Sequence, residues 1–310
     1  MKKINMHIHT FSIVALDEKH KKIGAAVQSH WFNVGALCPW VLPGVGAVAT
    51  QAMVAIGYGP SGLALLEKGI SPRMALKNLL EKDNRREVRQ IGMINMNGET
   101  AVHTGKHCIA YAGHQTGTNY AVQGNMMENE SVWSAMGSAF ESFEGDFASR
   151  LVYALGAGQS AGGDVRGMQS AAIKIVDNIK DETPWNHVQI DLRVEDHEQP
   201  IQELSRLVNI HKAYQLSNKG DQKLAENDHA AALKAYTHAA HLAPNIEELR
   251  YWQAISLIDC GRTEEALQIF KEVFSINPAW VELTKRLPSA GFLPEDPTIL
   301  KKILSSHKTI

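Results

Sequence analysis

A chain of 310 residues, 44% hydrophobic and 21% charged, has room for two domains with substantial apolar cores and is not composed like a disordered protein. Its formal net charge of -2 supplies no field that gathers phosphates, which argues against nucleic acid or an anionic membrane as partner, and nowhere do about 18 uncharged apolar residues run together to cross a bilayer. Cys38, Cys108 and Cys260 are too widely spaced for a disulfide framework or a metal pair, and with no apolar signal-peptide stretch at the start they suggest a cytoplasmic protein.

The first patterned segment follows Met1 to His9. His7 and His9 would leave one side of a strand together, but neither an HExxH pattern nor a set of carboxylate partners accompanies them, so no metal and no other cofactor is expected. Apolar and polar residues then alternate, and period-two geometry puts Thr10 and Ser12 on one face and Phe11 and Ile13 on the other. A polar turn at 17–22 leads into a second strand at 23–29, which makes a β-hairpin.

Residues 39–45 read as a loop, and 46–51 as a buried strand ending in Thr50 and Gln51. Helical patterns follow at 59–68 and 71–82, the second opened by the capping residue Ser71 and the first-turn Pro72. Asn97-Gly98 is the two-residue turn signal of a second hairpin, between strands at 90–96 and 99–103. His103, His107 and His114 lack the spacing of a ligand set, and a strand at 120–123 ends in the amides Gln123 and Asn125, which suit a pocket wall. Helices at 130–143 and 146–156 come next. Gly156-Ala157-Gly158 lacks the strand-before-helix setting of a dinucleotide fingerprint.

The run Gly162-Gly163-Asp164-Val165-Arg166-Gly167-Met168-Gln169 reads as a tight bend before a strand at 170–176. Consecutive glycines permit positive φ, and backbone N–H groups on such a bend can cradle an anion. Asp164 and Arg166 either orient a ligand or pin each other.

Glycine divides the chain, because 21 of its 24 glycines precede residue 177. We read 1–183 as a mixed α+β domain, 184–200 as a charged linker and 201–310 as an all-α domain. In the last, Ala232-Leu233, Tyr236, Ala239 and Pro244 recur 34 residues later as Ala266-Leu267, Phe270, Val273 and Pro278. This period resembles the tetratricopeptide repeat, a helix-turn-helix unit, with helices expected at 211–226, 229–241, 246–260 and 263–275. Two such repeats are fewer than the roughly three that stand alone, so the module is expected to lean on the first domain or on a second copy of the chain.

His9-Thr10-Phe11-Ser12-Ile13-Val14-Ala15, Gly44 to Gln51, Tyr58-Gly59-Pro60, Gln123-Gly124-Asn125 and Gly162 to Ala171 together resemble the domain of unknown function 1028 family, in the same order. The resemblance implies an amino-terminal-nucleophile hydrolase-like fold, a four-layer αββα sandwich. In that chemistry a strand opens on a hydroxyl or thiol whose own freed α-amine, with a pKa of about 7.7 to 8.0, is the base. Thr10 and Ser12 are the candidate nucleophiles. Ser29, Thr50, Gln51, Gln123, Asn125, Asp164, Arg166 and Gln169 are the candidate substrate-binding residues. Nine residues precede Thr10, so the mechanism requires a cut between His9 and Thr10. The expectation is an amidohydrolase acting on a small amide or peptide-like compound. Its rival is a non-catalytic ligand-binding sandwich whose helical repeats dock a protein or brace a homo-oligomer.

Overall fold

The computed structural model describes residues 7–8 and 10–306. They form two units, divided between Val208 and Asn209.

The first unit is built from β1 (His7–Ile8), β2 (Thr10–Asp17), β3 (Lys22–Ser29), β4 (Pro39–Leu42), β5 (Gly46–Met53), α1 (Tyr58–Glu67), α2 (Pro72–Glu81), β6 (Arg89–Asn95), β7 (Thr100–Thr104), β8 (Gly113–Gly117), β9 (Tyr120–Gly124), α3 (Ser131–Ser142), α4 (Phe147–Ser160), β10 (Ser170–Asp177) and β11 (Val188–Val194). One antiparallel sheet runs β1-β5-β6-β7, with β4 also on β5; the other runs β11-β10-β3-β2-β9-β8. The mixed α and β class, the antiparallel strands and the helical C-terminal region therefore match the sequence pattern.

Alternation along β2 explains how the layers meet. Phe11 and Ile13 point to one side, where they pack with Val132, Met136 and Phe140 of α3 and Leu151 and Leu155 of α4. Val14, with Val27 of β3, points to the other side and meets Ala47, Ala49 and Ile94 of the opposite sheet. That sheet's outer face carries Val48, Ile91 and Met93 against Leu63 and Leu66 of α1 and Leu76 of α2. Fully burying one such side chain contributes about 1.5–3 kcal/mol, so both faces of each sheet are strongly specified.

The expected linker is a strand and a helix start instead. Val188, Ile190, Leu192 and Val194 alternate with polar residues; β11 pairs with β10 from Ala171↔Val194 onward, and Ile190 and Val194 enter the α3/α4 core. Pro200 then opens α5 (Pro200–Ala225), whose Ile201, Leu204 and Val208 join the same core. The charge at 184–200 lies on the exposed positions Asp191 and Arg193 of an edge strand and in the turn after it, at Glu195, Asp196 and Glu198, which is why composition alone reads it as a tether. Residues 39–42 form β4 rather than a loop, because Trp40 to Leu42 find ladder partners in β5.

The second unit contains the rest of α5 with α6 (His229–Leu242), α7 (Glu247–Asp259), α8 (Thr263–Ile276), α9 (Ala279–Thr284) and α10 (Pro297–Ser305). Six of the ten positions of the 34-residue period are buried, Ala232, Tyr236 and Ala239 on α6 and Ala266, Phe270 and Val273 on α8, while Leu233 and Leu267 are half-buried and Pro244 and Pro278 exposed. No described helix is long and apolar enough to cross a membrane.

Candidate functional site

β2 begins in the middle of its sheet, with Thr10 opposite Ser29 and Ser29 opposite Ser170. Thr10 and Ser12 share the face toward the other sheet, as period two requires, and both are fully buried. Facing them are Gln51 of β5 and Gln90 of β6, themselves register partners. Apolar side chains fill the rest of the space between the sheets, so hydroxyls and amides occupy only the end beside Thr10.

These groups form one hydrogen-bonded set. The Thr10 hydroxyl donates to Ser29 Oγ at 3.0 Å. The Ser12 hydroxyl donates to Gln51 Oε1 and accepts from Gln123 Nε2, each at 2.6 Å. Gln51 Nε2 donates to the Thr10 carbonyl at 2.9 Å and to Gln90 Oε1 at 2.7 Å. Asn125 reaches the same two acceptors, with Nδ2 at 3.3 Å from the Thr10 carbonyl and 2.9 Å from Gln90 Oε1, and its backbone N–H adds a third donor to that carbonyl at 3.2 Å. Pairing of this kind contributes about 1 kcal/mol net per bond, and a buried orphan costs about 1–3 kcal/mol; Gln123 Oε1 is the member of the set for which no partner is described.

The described partners are hydroxyls, amides and carbonyls, apart from the Cys38 thiol 3.7 Å from Gln51 Oε1. Burial pushes that thiol up to about 12, so it stays protonated. Among the described residues no group of three or more His, Cys, Asp or Glu is placed to hold a metal ion, and His9 lies outside them.

The glycine-rich bend closes the same end of the sheet, pairing with the segment after Asn125 through the Met127↔Asp164 bridge and Val165 N–H to Met126 O at 3.2 Å. Gly162, Gly163 and Gly167 take φ of 127°, 64° and 101°, the left-handed range that disfavours side chains. Its N–H groups do not form an open anion cradle. Those of Gly162, Gly163, Val165 and Gly167 bond to backbone carbonyls, and that of Arg166 bonds to Asp164 Oδ1 at 3.0 Å. The buried Asp164 carboxylate also takes the Arg166 guanidinium at 2.7 Å and the backbone N–H of His30 at 3.4 Å. Asp164 and Arg166 are therefore paired with each other beside the strand end.

Thr10, Ser12, Ser29, Gln51, Gln123 and Asn125 are thus brought together, with Asp164 and Arg166 one residue beyond Ser29, at His30. Two candidates are not. Thr50 lies on the other face of β5 and bonds the Ala55 carbonyl at 3.4 Å, and the Gln169 side chain turns outward to Asp196 at 3.1 Å. Gln90, which the sequence reading passed over, is the hub; its Nε2 also reaches Thr104 Oγ1, Gly113 O and Gly124 O at 2.8–3.0 Å. Its signal was an amide at the head of an apolar strand, the same signal as Gln51 at the tail of another.

A family model described as a family of unknown function (DUF1028) matches residues 10–204. The crystal structure of protein SPO2555 from Silicibacter pomeroyi, itself carrying the family-model DUF1028, is similar at a TM-score of 0.59 and 29% identity, covering 64% of this chain and 84% of that one. No curated protein matches.

Proposed function

The chain belongs to the family of unknown function DUF1028, and we propose that its first unit is an amidohydrolase of the amino-terminal-nucleophile type, acting on a small amide or peptide-like compound with Thr10 as nucleophile. One observation carries this reading. Thr10 heads a central strand, its hydroxyl is held by Ser29, its carbonyl takes three donors, and every described partner is electrically neutral. A hydroxyl without a side-chain base needs another, and the α-amine freed by a cut before residue 10 is the nearest candidate. The helix-sheet-sheet-helix order suits the αββα sandwich of such enzymes. The family match also begins at Thr10.

In the reaction the α-amine takes the Thr10 hydroxyl proton as Oγ1 adds to the substrate carbonyl. The C–N bond then breaks, and the ammonium returns its proton to the leaving nitrogen. Water, deprotonated by the same amine, releases the acyl group from Oγ1. Gln51 and Asn125 fix the threonine backbone throughout, and Ser29 aims the hydroxyl. Asp164 and Arg166, at the adjoining strand end, border the substrate.

Intact mass of the purified protein tests the premise. The expected mature chain starts at Thr10, and Thr10→Ala should abolish amine release from a panel of acyl amides while keeping the fold. A chain that retains residues 1–9 while hydrolysing amides, or full turnover by Thr10→Ala, overturns the assignment.

A second reading has an observation of its own. In the second unit a groove of about 870 Å³ is lined by Tyr214, Asp221, Tyr236, Trp252, Asp259 and Phe292, and we read the helices around it as a tetratricopeptide-like module that docks a protein or a second copy of the chain. If partner binding or self-association is unchanged in Trp252→Ala, that reading fails.

A further inference from the structure

Beside the candidate site, Thr104, Lys106, Cys108, Tyr111, His114 and Trp133 border an open pocket of about 550 Å³. His114 is its link to the buried amides: its Nδ1 lies 2.8 Å from Thr104 Oγ1, which takes Gln90 Nε2 at 2.9 Å. Followed outward from Gln123, every bond runs the same way. Gln123 donates to Ser12, Ser12 to Gln51, Gln51 to Gln90 and Gln90 to Thr104. The direction of the Thr104–His114 contact follows the tautomer: with the imidazole proton on Nε2, Nδ1 accepts the Thr104 hydroxyl and continues the row, and this is the arrangement assigned to the neutral ring below.

We propose that His114 is a positioning residue whose protonation state sets the direction of this row, and so the placement of the Ser12 and Thr10 groups; the role rests on the proposed hydrolase site. A proton on Nδ1 turns that atom into a donor. Thr104 must then accept from both His114 and Gln90, and its own hydroxyl proton is left without a described acceptor. Turning over the Gln90 amide to receive it would set Nε2 against the amide donors of Gln51 and Asn125. Either response disturbs the two amides that hold the Thr10 carbonyl.

The surroundings favour the neutral ring. His114 as a residue is exposed on its edge strand, but partial desolvation of its ring, and secondarily the nearby His103, holds it below the ordinary histidine range. His103 comes from β7; Lys106, Cys108 and Tyr111 come from the segment before β8; Glu130 precedes α3. Opposite His114 on β9 stands the uncharged Gln123. Glu87 accepts from the backbone N–H of Lys106 at 3.4 Å, and the Cys108 thiol is pushed up to about 11 by burial, so it adds no charge near neutrality.

Nitrogen-15 NMR of the full chain, labelled in histidine and in glutamine side chains, tests this without any substrate. At neutral pH, His114 should show a protonated Nε2 and a bare Nδ1. As pH falls, the side-chain amides of Gln90 and Gln51 should shift with the midpoint of His114. Thr104→Val should silence those shifts, Thr104→Ser should restore them, and His114→Gln should remove the transition altogether. Gln90 and Gln51 resonances that stay flat through the His114 titration, or that move equally in Thr104→Val, overturn the proposal. Thr10→Ala removes the presumed nucleophile and leaves the row intact, so it should preserve the coupled shifts; failure of the hydrolase reading and failure of the row are therefore separate results.

Discussion

Replacing Gln90 with methionine keeps nearly its length and volume while deleting every polar contact it makes. Two accepted bonds, from Gln51 and Asn125, are lost together with those its two N–H protons share among Thr104, Gly113 and Gly124. Counting four bonds at about 1 kcal/mol net, and adding up to about 2 kcal/mol for a donor or carbonyl stranded without a second partner, gives a loss of about 4–6 kcal/mol. Set against a total stability of about 5–15 kcal/mol, that brings the first unit near its unfolding threshold. Hydrogen exchange read by mass spectrometry on peptides from β2 and β9 measures it locally. At about 1.4 kcal/mol per decade, Gln90→Met should speed exchange of their slowest amides by about three to four orders of magnitude. Gln169→Met, whose amide meets only the exposed Asp196, should change it less than threefold. Acceleration under tenfold in Gln90→Met would mean that the buried amides are not acting as one satisfied network.

Gly59→Ala would drive a Cβ into the Trp40 ring; we expect a cost of about 1–3 kcal/mol, seen as a lowered midpoint of thermal unfolding. Cys38, held protonated by burial, should resist iodoacetamide at pH 8 in the native protein and react once the first unit is unfolded. His187 bonds Asp181 and Asp177, which raises it, while the same contact lowers Asp181 to about 2. The stabilisation this pair gives is full below the unfolded histidine value, is lost as pH rises through the raised His187 value, and is lost at the acid end as Asp181 protonates. Thermal unfolding of His187→Gln should therefore fall below wild type at pH 5 and converge with it in alkali; a pH-independent gap would contradict the ion pair.

How far the sequence spoke for the fold depended on whether the signal was local. The β2–β3 hairpin and the Pro72 helix start are written in neighbouring residues and appear where the pattern put them, whereas the second hairpin turns at Asn97-Gly98 through a longer loop than two residues, with Ile94 opposite Thr100. β8 carries Gly113-His114-Gln115-Thr116-Gly117, with no apolar residue to give a period, and exists through its pairing with β9. Helix α4 runs through Gly156 and Gly158 to Ser160, because at Gly158 the absence of a side chain lets the helix lie against Met136 and Phe11, a tertiary gain over poor propensity. The site was legible as a collection of strand-end hydroxyls and amides, and illegible as a network. Gln51 meets Gln90 only through the β5–β6 register, and both meet Ser12 and Thr10 only because the two sheets stack.

The same stacking bears on the cut that the proposed chemistry requires. Ile8 pairs with Ala52 in one sheet and Thr10 with Ser29 in the other, so the described residues on either side of the required cut belong to different sheets. The two sides of that cut are anchored unequally. β1 contributes two register pairs, His7↔Met53 and Ile8↔Ala52, whereas β2 is held along eight residues by β3 and along five by β9. Severing the chain before Thr10 therefore leaves the threonine fixed and the short strand nearly untethered, since two-residue pairing cannot offset the freedom it gains. Cleavage before Thr10 would thus free the α-amine that the proposed chemistry uses as its base while the ladders to β3 and β9 keep the threonine where it is, so the cut protein should retain hydrogen-exchange protection along β2.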